Sequence, residues 1–178
     1  MAEISKNMLS LHRESRSASK VNLFELLEGV VSVVQETIAK GRRNIELLPG
    51  FEDEVEAFPS ELRQVFTNVI KNAVEATADG GSIRISSYAV QQSGQKGVLV
   101  RIVDDGVGIP EQLQSRLFNP FVSTKEESGT GLGLWVSRNI LEKHGGSMAL
   151  ESSTDANSRG TSVSIFLPLE FGPREVVP

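Results

Sequence analysis

Three stretches of the chain repeat apolar residues at the three- and four-residue steps of an amphipathic helix. In residues 21–40 they are Phe24, Leu27, Val30, Val31, Val34 and Ile38, with Gly41 as the stop signal. In residues 59–78 Leu62, Val65, Phe66, Val69, Ile70 and Ala73 make one stripe. The third runs from about residue 132 to 143 and ends at His144-Gly145-Gly146, a glycine stop. Other stretches alternate at the two-residue step of a strand. Ile45 and Leu47 predict a short strand whose partner across Pro49-Gly50 would be residues 55–58. Residues 82–90 and 97–103 predict a hairpin closed by the polar turn 91–96, and residues 147–152 and 160–167 predict a second. Hairpins imply a mixed sheet with antiparallel pairs, and three amphipathic helices suffice to cover one face of it. The expected fold class is therefore α+β, a two-layer α/β sandwich.

What lies between these elements is short. Residues 4–20 read as the end of a helix and a polar linker, residues 111–117 as a helical turn, and residues 126–129 as a polar lid. The tail 170–178 offers little to bury, and no internal repeat is visible. With 178 residues there is room for one domain and a short appendage. The net charge of -5 argues against a duplex-binding surface, so nucleic acid is not an expected partner. No cysteine is present, which removes disulfides and thiolate metal sites. No apolar run approaches the about 20 residues needed to span a bilayer. The expected location is cytoplasmic, which includes the cytoplasmic portion of a membrane-bound sensor.

The chemistry concentrates in two glycine islands, Asp104-Asp105-Gly106-Val107-Gly108-Ile109-Pro110 and Gly129-Thr130-Gly131-Leu132-Gly133-Leu134. The second leads into a helix, whose free N–H groups and dipole favour a phosphate. Opposite them, Asn68 and Asn72 project side by side from the second helix at a four-residue step. Standing alone the pair would be read as solvated asparagines. Beside the glycine islands it points to a polar ligand, a nucleotide.

These residues resemble the catalytic, ATP-binding domain of bacterial sensor histidine kinases, within the wider Bergerat-fold group, over about residues 21–169. Four motifs occur in the family's order: the asparagine box from Gln64 to Ala73, the first glycine box from Asp104 to Pro110, the phenylalanine box Leu117-Phe118-Asn119-Pro120-Phe121, and the second glycine box from Gly129 to Leu134. The resemblance implies a Bergerat sandwich with an ATP lid, and ATP and Mg²⁺ as cofactors. Asn72 would bind the Mg²⁺, Asn68 would help hold the phosphates, and Lys125 would pair with the terminal phosphates; these three form the expected catalytic set. Asp104 would accept a hydrogen bond from the adenine amino group. Gly106 and Gly108 would turn beside the base, and Thr161 would close its pocket. Phe118 and Phe121 would anchor the lid, and Gly129, Gly131, Leu132 and Gly133 would meet phosphate.

The implied domains are a remnant of the dimerising, phosphoacceptor helical hairpin with its linker (1–20), the catalytic domain (21–170) and a C-terminal tail (171–178). Relatives that hydrolyse ATP carry a glutamate where this chain has Asn68, which favours phosphotransfer to a protein. The family's acceptor histidine is followed by an acidic residue. Here His12 is followed by Arg13, and His144 is expected to cap a helix, so the acceptor hairpin is expected outside this chain. The expected activity is protein-histidine kinase, incomplete without that hairpin, with a response regulator downstream and a monomeric or weakly dimeric state. Two alternatives stay open: an anti-sigma-type serine kinase, and a nucleotide-binding regulator without phosphotransfer.

Overall fold

The computed structural model describes residues 17–37, 43–122 and 131–171. Two sheets and four helices follow one another as β1 (Ser19–Asn22), α1 (Leu23–Thr37), β2 (Asn44–Leu47), β3 (Glu54–Ala57), α2 (Pro59–Ala76), β4 (Ser82–Gln92), β5 (Gln95–Asp104), α3 (Glu111–Gln114), α4 (Gly133–Lys143), β6 (Ser147–Ser153) and β7 (Gly160–Pro168). The main sheet has the order β2-β4-β5-β7-β6, and β1 pairs with β3 in a separate two-stranded sheet. Only β2 against β4 is parallel within the main sheet, so it is mixed as expected.

Three expectations about the first half of the chain need correction. The helix begins at Leu23, because Ser19 to Asn22 are taken into β1 and the Asn22 side-chain oxygen accepts the Glu25 N–H at 3.1 Å, an N-cap. Its buried face is Leu23, Leu26, Leu27, Val30, Val31 and Val34, with Phe24 to one side; residues 38–42 lie outside those described. The strands at 44–47 and 54–57 do not pair with each other. The first joins β4 in parallel and the second joins β1, both pairings between segments far apart in sequence. The second helix stops two residues early, where Thr77 turns extended and its hydroxyl bonds back to the Ala73 carbonyl at 2.7 Å. The start of that helix follows its sequence, with Pro59 in the first turn.

The core lies between one face of the main sheet and the helices. Leu62, Val65, Phe66, Val69, Ile70 and Ala73 of α2 are all buried, as the stripe required. They meet inward rows of the sheet: Ile83 and Ile85 of β4, Val98, Val100 and Ile102 of β5, and Val163, Ile165 and Leu167 of β7. Two of these rows run on past the apolar core into polar residues. On β5 the next inward position is Asp104, and on β7 it is Thr161; both are buried, and the two residues face each other in the strand register. The sheet thus carries the polar site at the end of its own hydrophobic core.

The tail is less idle than its composition suggests. Phe171 packs edge-on against Phe58 and His144, with ring centroids 5.1 Å away in each case. His144 is buried at 1% exposure. Its Nδ1 contacts the Ile140 carbonyl at 2.7 Å and its Nε2 accepts the Phe58 N–H at 3.1 Å, which fixes a neutral ring with the proton on Nδ1. Burial holds its pKa below the ordinary 6.5. The expected helix-capping role is what the ring performs.

Candidate functional site

A cavity of about 480 Å³ opens between α2, the first glycine box and the start of α4. Asn68, Asn72, Asp104, Gly108, Gly131, Gly133 and Thr161, all singled out from sequence, line it together with apolar side chains such as Ile102, Val107 and Leu150. A few convergent polar groups in an apolar cleft is the usual makeup of a small-molecule site.

One end is a buried acceptor. Asp104 is 6% exposed, and its Oδ1 accepts the Gly106 N–H at 2.9 Å. Burial raises its pKa above 3.8, partly offset by the Gly106 and Thr161 backbone N–H groups, and the neighbouring Asp105 charge adds to the rise. A desolvated carboxylate of this kind is poised to take one more hydrogen-bond donor. Asp105 does something else: both of its oxygens accept the Ser82 N–H at 3.0 Å and one accepts the Ser82 hydroxyl, tying the glycine box to the start of β4.

The box is held on two further sides. Val107 N–H donates to the Ala76 carbonyl at the end of α2 at 3.1 Å, and a Cβ on Gly106 would lie 2.6 Å from that same oxygen. Gly108 has φ +72°, and a Cβ there would collide with the Ser153 carbonyl oxygen. Both glycines are therefore required by close approach, and Gly108 also by backbone conformation.

The other end belongs to α4. Leu132 precedes the helix without a side-chain cap, no acidic residue occupies the first turn, and the ladder begins with Val136 N–H on the Leu132 carbonyl at 2.8 Å. The N–H groups of Gly133, Leu134 and Trp135 accordingly have no acceptor within the helix. Asn68 faces this turn, its Nδ2 donating to the Gly133 carbonyl at 3.3 Å and to Ser137 Oγ at 3.2 Å. Asn72, one turn along α2, lines the cavity with its side chain exposed, and that side chain has no hydrogen bond to the other described residues. Its amide oxygen is a hard donor of the kind Mg²⁺ accepts alongside phosphates and water. Among the described residues there is no cluster of three or more His, Asp or Glu able to hold a metal unaided.

Several expected residues lie elsewhere. Phe118 packs under Arg138, whose guanidinium sits 5.8 Å from the ring centroid, but Phe121 is 79% exposed at φ +65° and does not line the cavity. Its ring is turned to solvent, and its backbone N–H bonds to the Gly131 carbonyl at 3.0 Å. Leu132 is beside the cavity rather than in its wall. Lys125 and Gly129 lie outside the described residues. Two residues were missed: Ser152, whose hydroxyl accepts the Ile109 N–H at 2.8 Å, and Gln114, whose amide donates to the Ile109 and Ser152 carbonyls at 2.8 and 2.9 Å. Both looked like ordinary surface polar residues in sequence; the register of β6 brings Ser152 to the glycine box, and the short helix α3 brings Gln114 there.

A mixed sheet under three main helices, with a buried aspartate, paired glycine turns and an uncapped helix start around one cleft, is the architecture of the Bergerat group. Residues 58–171 match the family described as histidine kinase-, DNA gyrase B-, and HSP90-like ATPase, and the chain belongs to it. It is 36% identical over 170 residues to sporulation kinase A of Bacillus subtilis, covering 93% of this chain and 26% of that protein. It is 34% identical over 160 residues to the sensory histidine kinase/phosphatase NtrB of Azospirillum brasilense, covering 84% of this chain and 39% of that protein. The fold superposes on the catalytic domain of histidine kinase ThkA with a TM-score of 0.74 at 33% identity, over 87% of this chain and 97% of that one. The chain is thus homologous to the catalytic domains of sensor histidine kinases, and it spans well under half the length of these two curated relatives. Among the described residues no helix is long and apolar enough to cross a membrane.

Proposed function

We propose that residues 19–171 form the Mg-ATP-binding catalytic module of a two-component sensor kinase. Its product would be a phosphohistidine on a helical-hairpin domain, and the module would begin with β1, since Ser19 and Lys20 pair with β3 rather than serving as linker. The observation that carries this is the polarity of the cleft: a buried polar pair, Asp104 and Thr161, at one end, and Asn72 with the uncapped start of α4 at the other. That is the complement of a purine amino group joined to a polyphosphate.

In this reading Asp104 takes the adenine amino proton, while Ile102, Val107 and Leu150 exclude water from the base. Asn72 supplies a protein oxygen to Mg²⁺, which when bound would neutralise charge on the phosphates. Asn68 keeps the first turn of α4 against α2, so that the N–H groups of Gly133 and Leu134 meet the phosphate at a fixed place. Gly131 and Gly129 let the lid backbone approach, and Lys125 adds a cation. With an asparagine at position 68 the chain brings no carboxylate there to activate water, so the work of the site is positioning and electrostatic stabilisation while the nucleophile comes from another domain.

His144 is excluded as that nucleophile, since it is buried and both ring nitrogens are engaged. A response regulator would take the phosphoryl group afterwards, and the module would act in the cytoplasm as a monomer or weak dimer. Incubation with γ-labelled ATP, with a hairpin domain added in trans, tests the proposal. Acid-labile label on a hairpin histidine is expected. Label on serine, or nucleotide binding with no transfer, would overturn it.

A further inference from the structure

The hydroxyl of Ser152 has three partners within 2.9 Å, and together they leave it one arrangement. It donates to the Gly160 carbonyl at 2.8 Å, accepts the Ile109 N–H at 2.8 Å, and lies 2.9 Å from Thr161 Oγ1. A serine hydroxyl has one proton and two lone pairs. The carbonyl of Gly160 cannot donate, so the Ser152 proton goes there. Ile109 uses one lone pair, and the contact with Thr161 is a hydrogen bond only if Thr161 is the donor. The Thr161 proton is therefore turned away from the cleft, and what its oxygen has left for a ligand is lone pairs alone.

Thr161 and Asp104 sit opposite each other in the register of β5 and β7, and both line the cleft. One Asp104 oxygen already holds the Gly106 N–H. The buried end of the cleft thus presents acceptors from both strands, and a ligand edge seated there must bring donors. A 6-aminopurine does, through its exocyclic amino group, directly or through a bridging water. A 6-oxopurine seated the same way puts an acceptor oxygen against those acceptors, and its one edge donor, N1–H, is displaced by a ring position from the place of that amino group, so a site of this kind rejects it with buried groups left unpaired.

We infer that Ser152 is a positioning residue for base selection, fixing the Thr161 hydroxyl as an acceptor so that the cleft takes 6-aminopurine and refuses 6-oxopurine nucleotides. The inference rests on the nucleotide-binding reading above and goes beyond it, because selection is assigned to the hydrogen-bond polarity of a residue that does not itself line the cleft. Removing the Ser152 hydroxyl frees Thr161 to rotate and donate, which is what the oxygen of a 6-oxopurine needs. Asp104 would remain in place.

The test is the ratio of dissociation constants for ITP and ATP, measured by calorimetry on the whole chain with Mg²⁺ held constant. Ser152→Ala is expected to reduce that ratio on the order of tenfold, the scale of one buried hydrogen bond. Ser152→Thr, which keeps a hydroxyl, is expected to restore it. In a Thr161→Val background, Ser152→Ala should leave the ratio unchanged, since the group it controls is gone. If Ser152→Ala fails to fold, Ser152→Cys keeps the volume with a weak donor and acceptor and should lower the ratio in the same direction. Parallel weakening of both nucleotides in a folded variant would mean that Ser152 only braces the loop, and would overturn the inference. A wild-type chain that binds neither nucleotide would overturn the nucleotide-binding reading itself, before any variant is made.

Discussion

Replacing Asp104 by Asn separates the stability of this fold from its function. The carboxylate is almost fully buried, with the Gly106 N–H bonded to Oδ1 at 2.9 Å and the Thr161 backbone N–H also turned to it. An asparagine keeps that bond through its own oxygen and changes neither the volume nor the register of β5. It loses the charge, and it presents an amide N–H₂ to the cleft where the carboxylate presented an oxygen. A hydrogen bond to a charged acceptor contributes about 1.5–3 kcal/mol. At about 1.4 kcal/mol per factor of ten, ATP affinity should fall by about 10- to 150-fold, and further if the two amino groups are forced to face each other.

The effect on stability runs the other way. The Asp104 pKa is raised in the fold above 3.8, chiefly by burial. A group whose pKa is higher folded than unfolded favours the fold below its unfolded value, and that contribution is lost as pH rises through the folded value. At neutral pH the ionised, buried carboxylate is therefore a net cost to the free domain, and Asp104→Asn removes it. The melting temperature without nucleotide should hold or rise, by about 2–4 °C for each kcal/mol relieved in a domain of this size. Thermal melts with and without Mg-ATP, together with calorimetric binding, read both quantities on one sample. ATP binding within threefold of wild type would refute the assignment of Asp104 as the base acceptor. A melting temperature several degrees lower would refute the claim that its ionisation costs the fold stability.

Other perturbations address separate parts of the molecule. Gly108→Ala should destabilise the domain by at least the about 1–2 kcal/mol of a left-handed alanine, and by more once the collision with the Ser153 carbonyl is added, seen as a drop in denaturation midpoint at unchanged slope. Asn72→Ala should leave the melting temperature within a degree or two, because the side chain is exposed, while Mg²⁺ ceases to improve ATP binding in a metal titration. His144, whose pKa is lowered in the fold, contributes stability that is fully present above about pH 6.5 and is lost as pH falls below it. His144→Gln should flatten that part of the stability–pH profile, measured by urea unfolding between pH 5 and 8.

The parts of the fold that sequence made legible are those where an unusual residue is needed. Asp104, the paired asparagines and the glycines at 106, 108, 131 and 133 stand where helix and strand patterns would otherwise place apolar or helix-forming side chains, and the structure brings all of them to one cleft apart from the buried Gly106, which braces it from behind. The helix stripe of α2 was equally plain, because its burial depends only on a local period. The pairing of β2 and β3 was misread because both strands are four residues long and each finds its partner far along the chain, β4 for one and β1 for the other. No local signal separates a two-strand hairpin from two such pairings. Phe171 was read as idle tail for the same reason: its partners, Phe58 and His144, are 113 and 27 residues away.

That division bears on how the cleft works. The residues legible in sequence are those that line the cleft or give the backbone room. Ser152, Gln114, Asp105 and Asn68 are common polar residues whose roles arise from tertiary placement: they hold the first glycine box to β6 and β4, and α4 to α2. Each bond joins elements that a nucleotide would also bridge in the proposed reading, with the base against the first box and the phosphates against α4. Binding should therefore tighten contacts already present rather than create the site. It follows that Mg-ATP should slow amide exchange most at Val107, Ile109 and the first turn of α4, and least in β1 and β3. Equal protection across both sheets would indicate global stabilisation alone and refute a preformed cleft closed along these bonds.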